Sequence, residues 1–305
     1  MKKVLKFIFL SIILLFTTLI IGLFASVSHA QNQLSTQQSL EVSPPTQEIQ
    51  VDPGKTTTVK AKVRNRSNKS LSIKVRIEDF TASGEEGQVK LEEKNADSLS
   101  NWVSLTSDSF IVKPGESKEV VADIHAPQTI AGGHYGSFVF SYGSPSKEIG
   151  TVASVTQELA SLFLIRVSGP INENLSLVEF TAPKFSEFGP IPFSMKFTNK
   201  GNIHVKTYGL INIVNMFGKN PINIVVSGTN VFPGANRIAK AELNKRFLLG
   251  NYTATAVIYY GTGVNHTLTA TTTFFVFPVR IFVFIAIIIL ILYILYKRLS
   301  KTSKT

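Results

Sequence analysis

The strongest constraint on this chain is an apolar/polar alternation of period two. It recurs through the middle of the sequence with no helical stretch between its copies. Leu71, Ile73, Val75 and Ile77 alternate with Ser72, Lys74, Arg76 and Glu78. Val59, Ala61 and Val63 alternate with Lys60, Lys62 and Arg64. That is the period of a strand with one face buried and one in water. Phe138-Val139-Phe140, Leu162 to Ile165, Ile222 to Val226 and Thr253 to Tyr260 are further β-rich runs, separated by Gly, Pro, Asn and Ser. Many short strands without crossover helices predict antiparallel sandwiches.

Three marks occur twice in the same order and predict two such sandwiches in tandem. The first is a strand ending in an Asn-rich turn, Asn65-Arg66-Ser67-Asn68 and then Asn199-Lys200-Gly201-Asn202. The second is a Pro-Gly turn after an apolar strand, Val112-Lys113-Pro114-Gly115 and then Val231-Phe232-Pro233-Gly234. The third is Gly133-His134-Tyr135 running to Tyr142-Gly143, matched by Gly250-Asn251-Tyr252 running to Tyr260-Gly261. Pro presets φ and Gly supplies the positive φ that such turns require. The tyrosines can bury a ring while the hydroxyl finds a backbone partner, as in a tyrosine corner. The second and third marks are displaced by nearly the same distance. The first is displaced further, and the first copy carries an extra polar stretch from Thr81 to Asn101.

Both ends of the chain are apolar and flanked by basic residues. Lys2, Lys3 and Lys6 precede the run Phe7 to Phe24, and Ser28-His29-Ala30 supplies the small residues of a cleavage site. Cleavage after residue 30 is one reading of this segment, and an uncleaved membrane anchor is the other. The run Ile281 to Tyr296 has 16 residues, is apolar all round and is closed by Lys297 and Arg298. At a rise of about 1.5 Å per residue it spans roughly 24 Å, near the hydrocarbon thickness once Arg280 and Lys297 snorkel outward. The expected plan is therefore signal peptide 1–30, first Ig-like domain 31–169, second Ig-like domain 170–278, transmembrane helix 279–296 and basic cytoplasmic tail 297–305. By the positive-inside rule the two domains lie outside the cytoplasm on a single-pass membrane protein.

This topology also accounts for the charge. Lys2, Lys3, Lys6, Arg280, Lys297, Arg298, Lys301 and Lys304 are eight of the 31 basic residues, so the middle keeps 23 against all 20 acidic ones. The formal charge of +11 thus marks the ends of membrane segments and implies no nucleic-acid partner. With no cysteine, disulfide frameworks and thiolate chemistry are excluded.

Val42-Ser43-Pro44-Pro45, Asp52-Pro53-Gly54, Val59 to Asn65, Pro114-Gly115 and Gly132 to Phe140 together resemble the N-terminal domain of the WxL-interacting surface proteins. That family shares the plan of signal peptide, two Ig-like domains, one membrane span and a short basic tail. The resemblance implies a first domain that binds peptidoglycan and a second that engages other surface proteins or host ligands. The chain carries no Trp-x-Leu motif of its own, since Trp102-Val103-Ser104-Leu105 has the wrong spacing. It also lacks a sortase-type Leu-Pro-x-Thr-Gly signal, which leaves the C-terminal span as the expected anchor.

Catalytic signals are absent: there is no P-loop, dinucleotide fingerprint, nucleophile elbow or His-Glu-x-x-His helix. His125, His134, His204 and His266 are scattered, and His134 and His204 read as strand residues, with a pH-sensitive role open for His204. No enzyme activity and no cofactor is expected. The acidic group Glu78, Asp79, Glu85, Glu86, Glu92, Glu93 and Asp97 fits no calcium loop, and Gly84-Glu85-Glu86-Gly87 reads equally as a solvated hairpin tip. Metal binding is not expected.

The candidate ligand site is basic. Lys60, Lys62 and Arg64 project from one strand and Lys74 and Arg76 from the next, a patch suited to anionic cell-wall polymer. Outward lysines that protect a strand from edge-to-edge aggregation are the alternative. The sequence thus points to a non-enzymatic, membrane-anchored surface protein that binds wall material or other surface proteins. A tethered chaperone-like assembly factor, holding client strands along a sheet edge, is the competing reading.

Overall fold

The structure is a computed structural model and describes residues 40–143, 156–218, 220–262 and 266–302. The predicted leader lies outside them, as do the last three residues of the tail. All described residues belong to one compact unit, Ser39–Thr305.

The described chain is β up to its last helix, and its strands form four sheets. In the first sheet, β1 (Leu40–Ser43), β3 (Thr56–Asn65), β8 (Ser117–His125) and β6 (Val103–Leu105) lie in that order. The second sheet runs β2 (Thr46–Val51), β10 (Thr156–Val167), β9 (Gly132–Gly143), β4 (Leu71–Ser83) and β5 (Gln88–Glu92), with β7 (Ser109–Val112) also on β4. Between them lies a core that includes Val59, Ala61 and Val63 of β3, Ile73 and Val75 of β4, Phe138 and Phe140 of β9, and Phe163 and Ile165 of β10. The period-two residues thus point inward from both sheets, and their polar neighbours point outward.

The third sheet is β11 (Leu175–Thr181), β13 (Ile191–Asn199) and β16 (Asn236–Leu243). The fourth is β12 (Phe185–Ser186), β18 (His266–Val276), β17 (Gly250–Tyr260), β14 (Val205–Asn215) and β15 (Ile222–Val231). These two enclose a separate core with Phe193, Met195 and Phe197 from β13 and Ala254, Ala256 and Ile258 from β17.

The first two repeat marks have a shared physical cause. Asn65 is fully buried at the end of β3. Its Nδ2 donates to the carbonyls of Lys69 (2.7 Å) and Val112 (2.9 Å), and its Oδ1 accepts from Ser67 N at 2.8 Å. Its backbone is bonded to the Pro-Gly turn through Gly115 N and Glu116 O. Asn199 repeats this bond for bond: Nδ2 donates to Ile203 O and Val231 O, both at 2.8 Å, and Oδ1 accepts from Gly201 N at 2.8 Å. Its backbone bonds are to Gly234 N and Ala235 O. One buried amide therefore ties the Asn turn to the Pro-Gly turn, and neither can change alone without orphaning buried polar groups.

The closing helix, α1 (Val279–Thr302), has a stretch Val279–Lys297 of mean hydropathy 2.9, none of it buried inside the protein. It is long and apolar enough to cross a membrane.

Candidate binding edge and junction cleft

The five predicted site cations do not share a face. Val59, Ala61 and Val63 of β3 and Ile73 and Val75 of β4 enter the same core from opposite sheets. Lys60, Lys62 and Arg64 therefore project away from Lys74 and Arg76, on the far side of the sandwich. The expectation of one patch assumed that consecutive strands are neighbours, but the chain crosses between sheets after β3. Their charge is also partly matched. Lys60 meets Glu119 at 3.1 Å, and β1 places Glu41 opposite Arg64 and beside Arg66.

Arg76 has a structural role on the outer face of the second sheet. It donates to Glu78 (2.6 Å), to Ser141 Oγ on β9 (2.6 Å) and, through both terminal nitrogens, to the Glu158 carboxylate on β10 (2.8 and 3.1 Å). Those hydrogen bonds hold the Glu158 carboxyl below its ordinary range and the Arg76 guanidinium above its own. The result is a clamp across three strands that fixes the first half of β10.

Among the described residues, that half of β10 is an open sheet edge. β2 is registered against Leu162 to Val167 only, in parallel, whereas β9 pairs with β10 along its whole length. Leu162 N donates to Pro45 O at 2.9 Å, which fixes the direction of that residue's polar groups. By strand alternation the N–H and C=O of Glu158 and Ala160 point the same way, past the beginning of β2. Among the described residues no strand is registered against them. Leu159, packed at the margin of the core, and Ala160 are half-buried along this edge.

Followed toward its C-terminal end, the same outer face of β10 enters a cleft between the two sandwiches. The cleft has a volume of about 410 Å³ and is lined by Glu48, Gln50, Leu164, Arg166, Glu173, His204, Lys206, Tyr208 and Thr262 among others. Arg166 donates to Thr262 Oγ1 and to Glu173 Oε1 (3.2 Å). Glu173 also accepts from Thr262 N at 2.9 and 3.1 Å. Burial pushes the Glu173 carboxyl up, but the bonds from Thr262 and Arg166 outweigh it and hold it below the usual carboxylate range.

Through His204 the cleft adjoins an aromatic cluster at the junction. Tyr135 packs on Phe232 (4.8 Å between centroids), His204 (5.5 Å) and Phe80 (5.8 Å). The Tyr135 hydroxyl accepts from His204 N at 2.7 Å, so this tyrosine bonds across to the second sandwich and is not the within-sandwich corner expected from sequence. His204 sits just before β14 with its Nδ1 unpartnered, and burial pushes its imidazole down to about 4. His134, on β9, lies against Trp102 at 4.7 Å and is pushed down by burial as well.

The acidic tip Gly84–Gly87 is a docked hairpin and not a solvated one. Ile238 N donates to Glu85 O at 2.7 Å, Glu85 pairs with Lys196 at 2.7 Å, and Glu86 pairs with Lys240. Glu85 and Glu86 thus clasp the third sheet.

Arg166 and Glu173 were not singled out by sequence reasoning. The available signal was Arg166 itself, one cation interrupting the buried run Leu162 to Val167.

No protein-family model and no curated protein matches this chain. It is similar to solved structures of fimbrial chaperones at low identity. The YadV chaperone is 11% identical over 77% of this chain and 99% of its own, with a TM-score of 0.40. The class 5 fimbriae chaperone CfaA is 12% identical over 76% and 98%, TM-score 0.38. A Salmonella enterica SafA pilin complex with the SafB chaperone gives 13%, 77% and 96%, TM-score 0.37.

Proposed function

We propose that this chain is a non-enzymatic protein of the cell surface, tethered by α1, whose first sandwich holds an extended segment of another exported protein. The segment adds a strand to the open half of β10, beside the start of β2. The observation that carries this reading is the edge at Glu158 and Ala160, against which no described strand is registered, with Arg76 bound to Glu158 and a charged cleft on the outer face of the same strand. The two residues offer two N–H and two C=O groups, about 4 kcal/mol at roughly 1 kcal/mol net per hydrogen bond. Ordering a six-residue segment costs more, about 1–2 kcal/mol per residue. Backbone pairing alone is therefore insufficient, and the partner must bury alternate apolar side chains beside Leu159 and Ala160.

The wall-polymer reading drew on a family resemblance and on a five-cation patch, and those cations divide between opposite faces of the sandwich. An array of extended segments from exported proteins, probed with the detergent-solubilised full chain, tests the proposal. Retention of segments with alternating apolar residues, lost in Ala160→Pro, is the expected result. Equal retention by that variant, or no retention at all, would contradict it.

A further inference from the structure

The second sandwich has two unlike ends. One carries Asn202, the Pro233-Gly234 turn and Thr262, and it faces the first sandwich. The other collects the β12–β13 loop, the β14–β15 turn, the β16–β17 loop and the start of α1. Register places them together: Gly250 lies opposite Val276, Asn215 opposite Tyr252, and Ile191 opposite Leu243. Met216 N donates to Asn251 O and Gly189 N to Arg246 O, both at 3.0 Å.

This end exposes large apolar side chains at its tips. Phe217 is 73% exposed and Met216 65% on the β14–β15 turn, with Phe247 at 70% and Leu249 at 59% on the β16–β17 loop. Lys245 and Arg246 are exposed beside them. Isolated surface apolar residues need no explanation, but four at the tips of two adjacent loops form a patch that water disfavours.

The helix fixes the depth of this patch. Phe277 stacks on Phe282 at 4.5 Å, and Arg280, in the first turn of α1, pairs with Glu187 of the β12–β13 loop at 3.3 Å. Phe188 of that loop lies edge-on to Phe247 at 6.2 Å. A cation at the start of a spanning helix sits at headgroup level, so loops bound to it sit there too.

We infer that the tips Met216-Phe217 and Phe247-Leu249 insert into the headgroup–acyl boundary of the bilayer that α1 enters, with Lys245 and Arg246 on lipid phosphates. This rests on α1 spanning the membrane. Apolar side chains flanked by cations are the side-chain set that partitions into an anionic lipid interface. The insertion would hold the second sandwich upright on the membrane and aim the β10 edge away from it.

Because the chain has no cysteine, single labelling sites can be introduced without removing others. Phe217→Cys, Phe247→Cys, Lys113→Cys in the first sandwich and Ile287→Cys in α1 would each carry an environment-sensitive fluorophore. The full chain is reconstituted in phosphatidylcholine–phosphatidylglycerol vesicles containing spin-labelled lipid. The expected result is quenching at 217 and 247 by shallow spin labels, several-fold above that at 113, with 287 quenched by deep ones. Replacing Lys245 and Arg246 by Glu should reduce the quenching at 247. If 217 and 247 behave like 113 while 287 is quenched, the span stands and the loop insertion is overturned. If 287 is unquenched as well, both fail together.

Discussion

β10 and β18 occupy the same place in the two sandwiches. Each is the last strand of its sandwich, pairs along its length with the strand before it, and is met on its other side by a short parallel strand near its C-terminal end. The cover differs in extent: β2 registers with six residues of β10, whereas β12 registers only with Phe275 and Val276 of β18. The side chains differ more. The β18 edge presents Thr267, Thr269, Thr271 and Thr273 to solvent, small polar groups that compete for their own hydrogen bonds. The β10 edge has Leu159 and Ala160 half-buried, a clamp from Arg76, and a cleft at its end. An open edge alone is thus a common feature of a sandwich, and what distinguishes β10 from β18 is the apolar margin and the charged cleft.

The comparison assumes that both sandwiches share one construction, and the largest expected effect tests this. Asn65→Ala and Asn199→Ala each remove two donated hydrogen bonds from a buried amide, with two accepted ones at Asn65 and one at Asn199. Each should lower stability in denaturant titration by about 3 kcal/mol. A large loss in one and none in the other would show that the repeat is only a likeness of sequence.

A second effect concerns the junction, where His204 has no counterpart at the free end of the first sandwich. Its imidazole is pushed down to about 4, so between that value and its unfolded value near 6.5 the unfolded chain binds the extra proton. The neutral, buried state is fully stable above pH 6.5 and loses stability as pH falls toward 4, by up to about 3 kcal/mol. His134, shifted in the same direction, adds to that slope. Thermal unfolding followed from pH 7 to 4 should show the loss, and His204→Phe should flatten it.

The next comparison is direct. Phe275 N donates to Lys184 O, which makes the N–H of Thr271 point out of the β18 edge as that of Ala160 points out of β10. Proline at either site removes an unpaired edge donor and should cost little stability. Ala160→Pro should weaken segment binding at least tenfold, about 1.4 kcal/mol, while Thr271→Pro leaves it unchanged. Equal losses in titrations of the two variants would erase the distinction between the strands. The smallest effect belongs to the clasp: Glu85→Ala removes a partly exposed ion pair with Lys196 and should cost under about 1 kcal/mol in the same unfolding assay.

Much of the fold was legible because its cause is local. The alternation in Val59 to Arg64 and Leu71 to Glu78 encodes which face is buried, and the repeated Asn and Pro-Gly marks encode a stitch that needs those residue types. The candidate site was mostly hidden. Whether two outward strands share a face depends on where the chain changes sheets, which the alternation does not record, so Lys60 and Arg76 read as neighbours and are not. Glu85 read as solvated because the sequence holds no trace of Lys196 lying opposite. The open edge follows from where β2 stops against β10, a register set by tertiary packing.

Amide exchange of the full chain, with and without a segment retained on the array, tests the central claim most directly. Protection gained at Glu158 and Ala160, with Thr267 to Thr273 unchanged, is the predicted result. Protection confined to β18, or none at β10 with the segment bound, would contradict it.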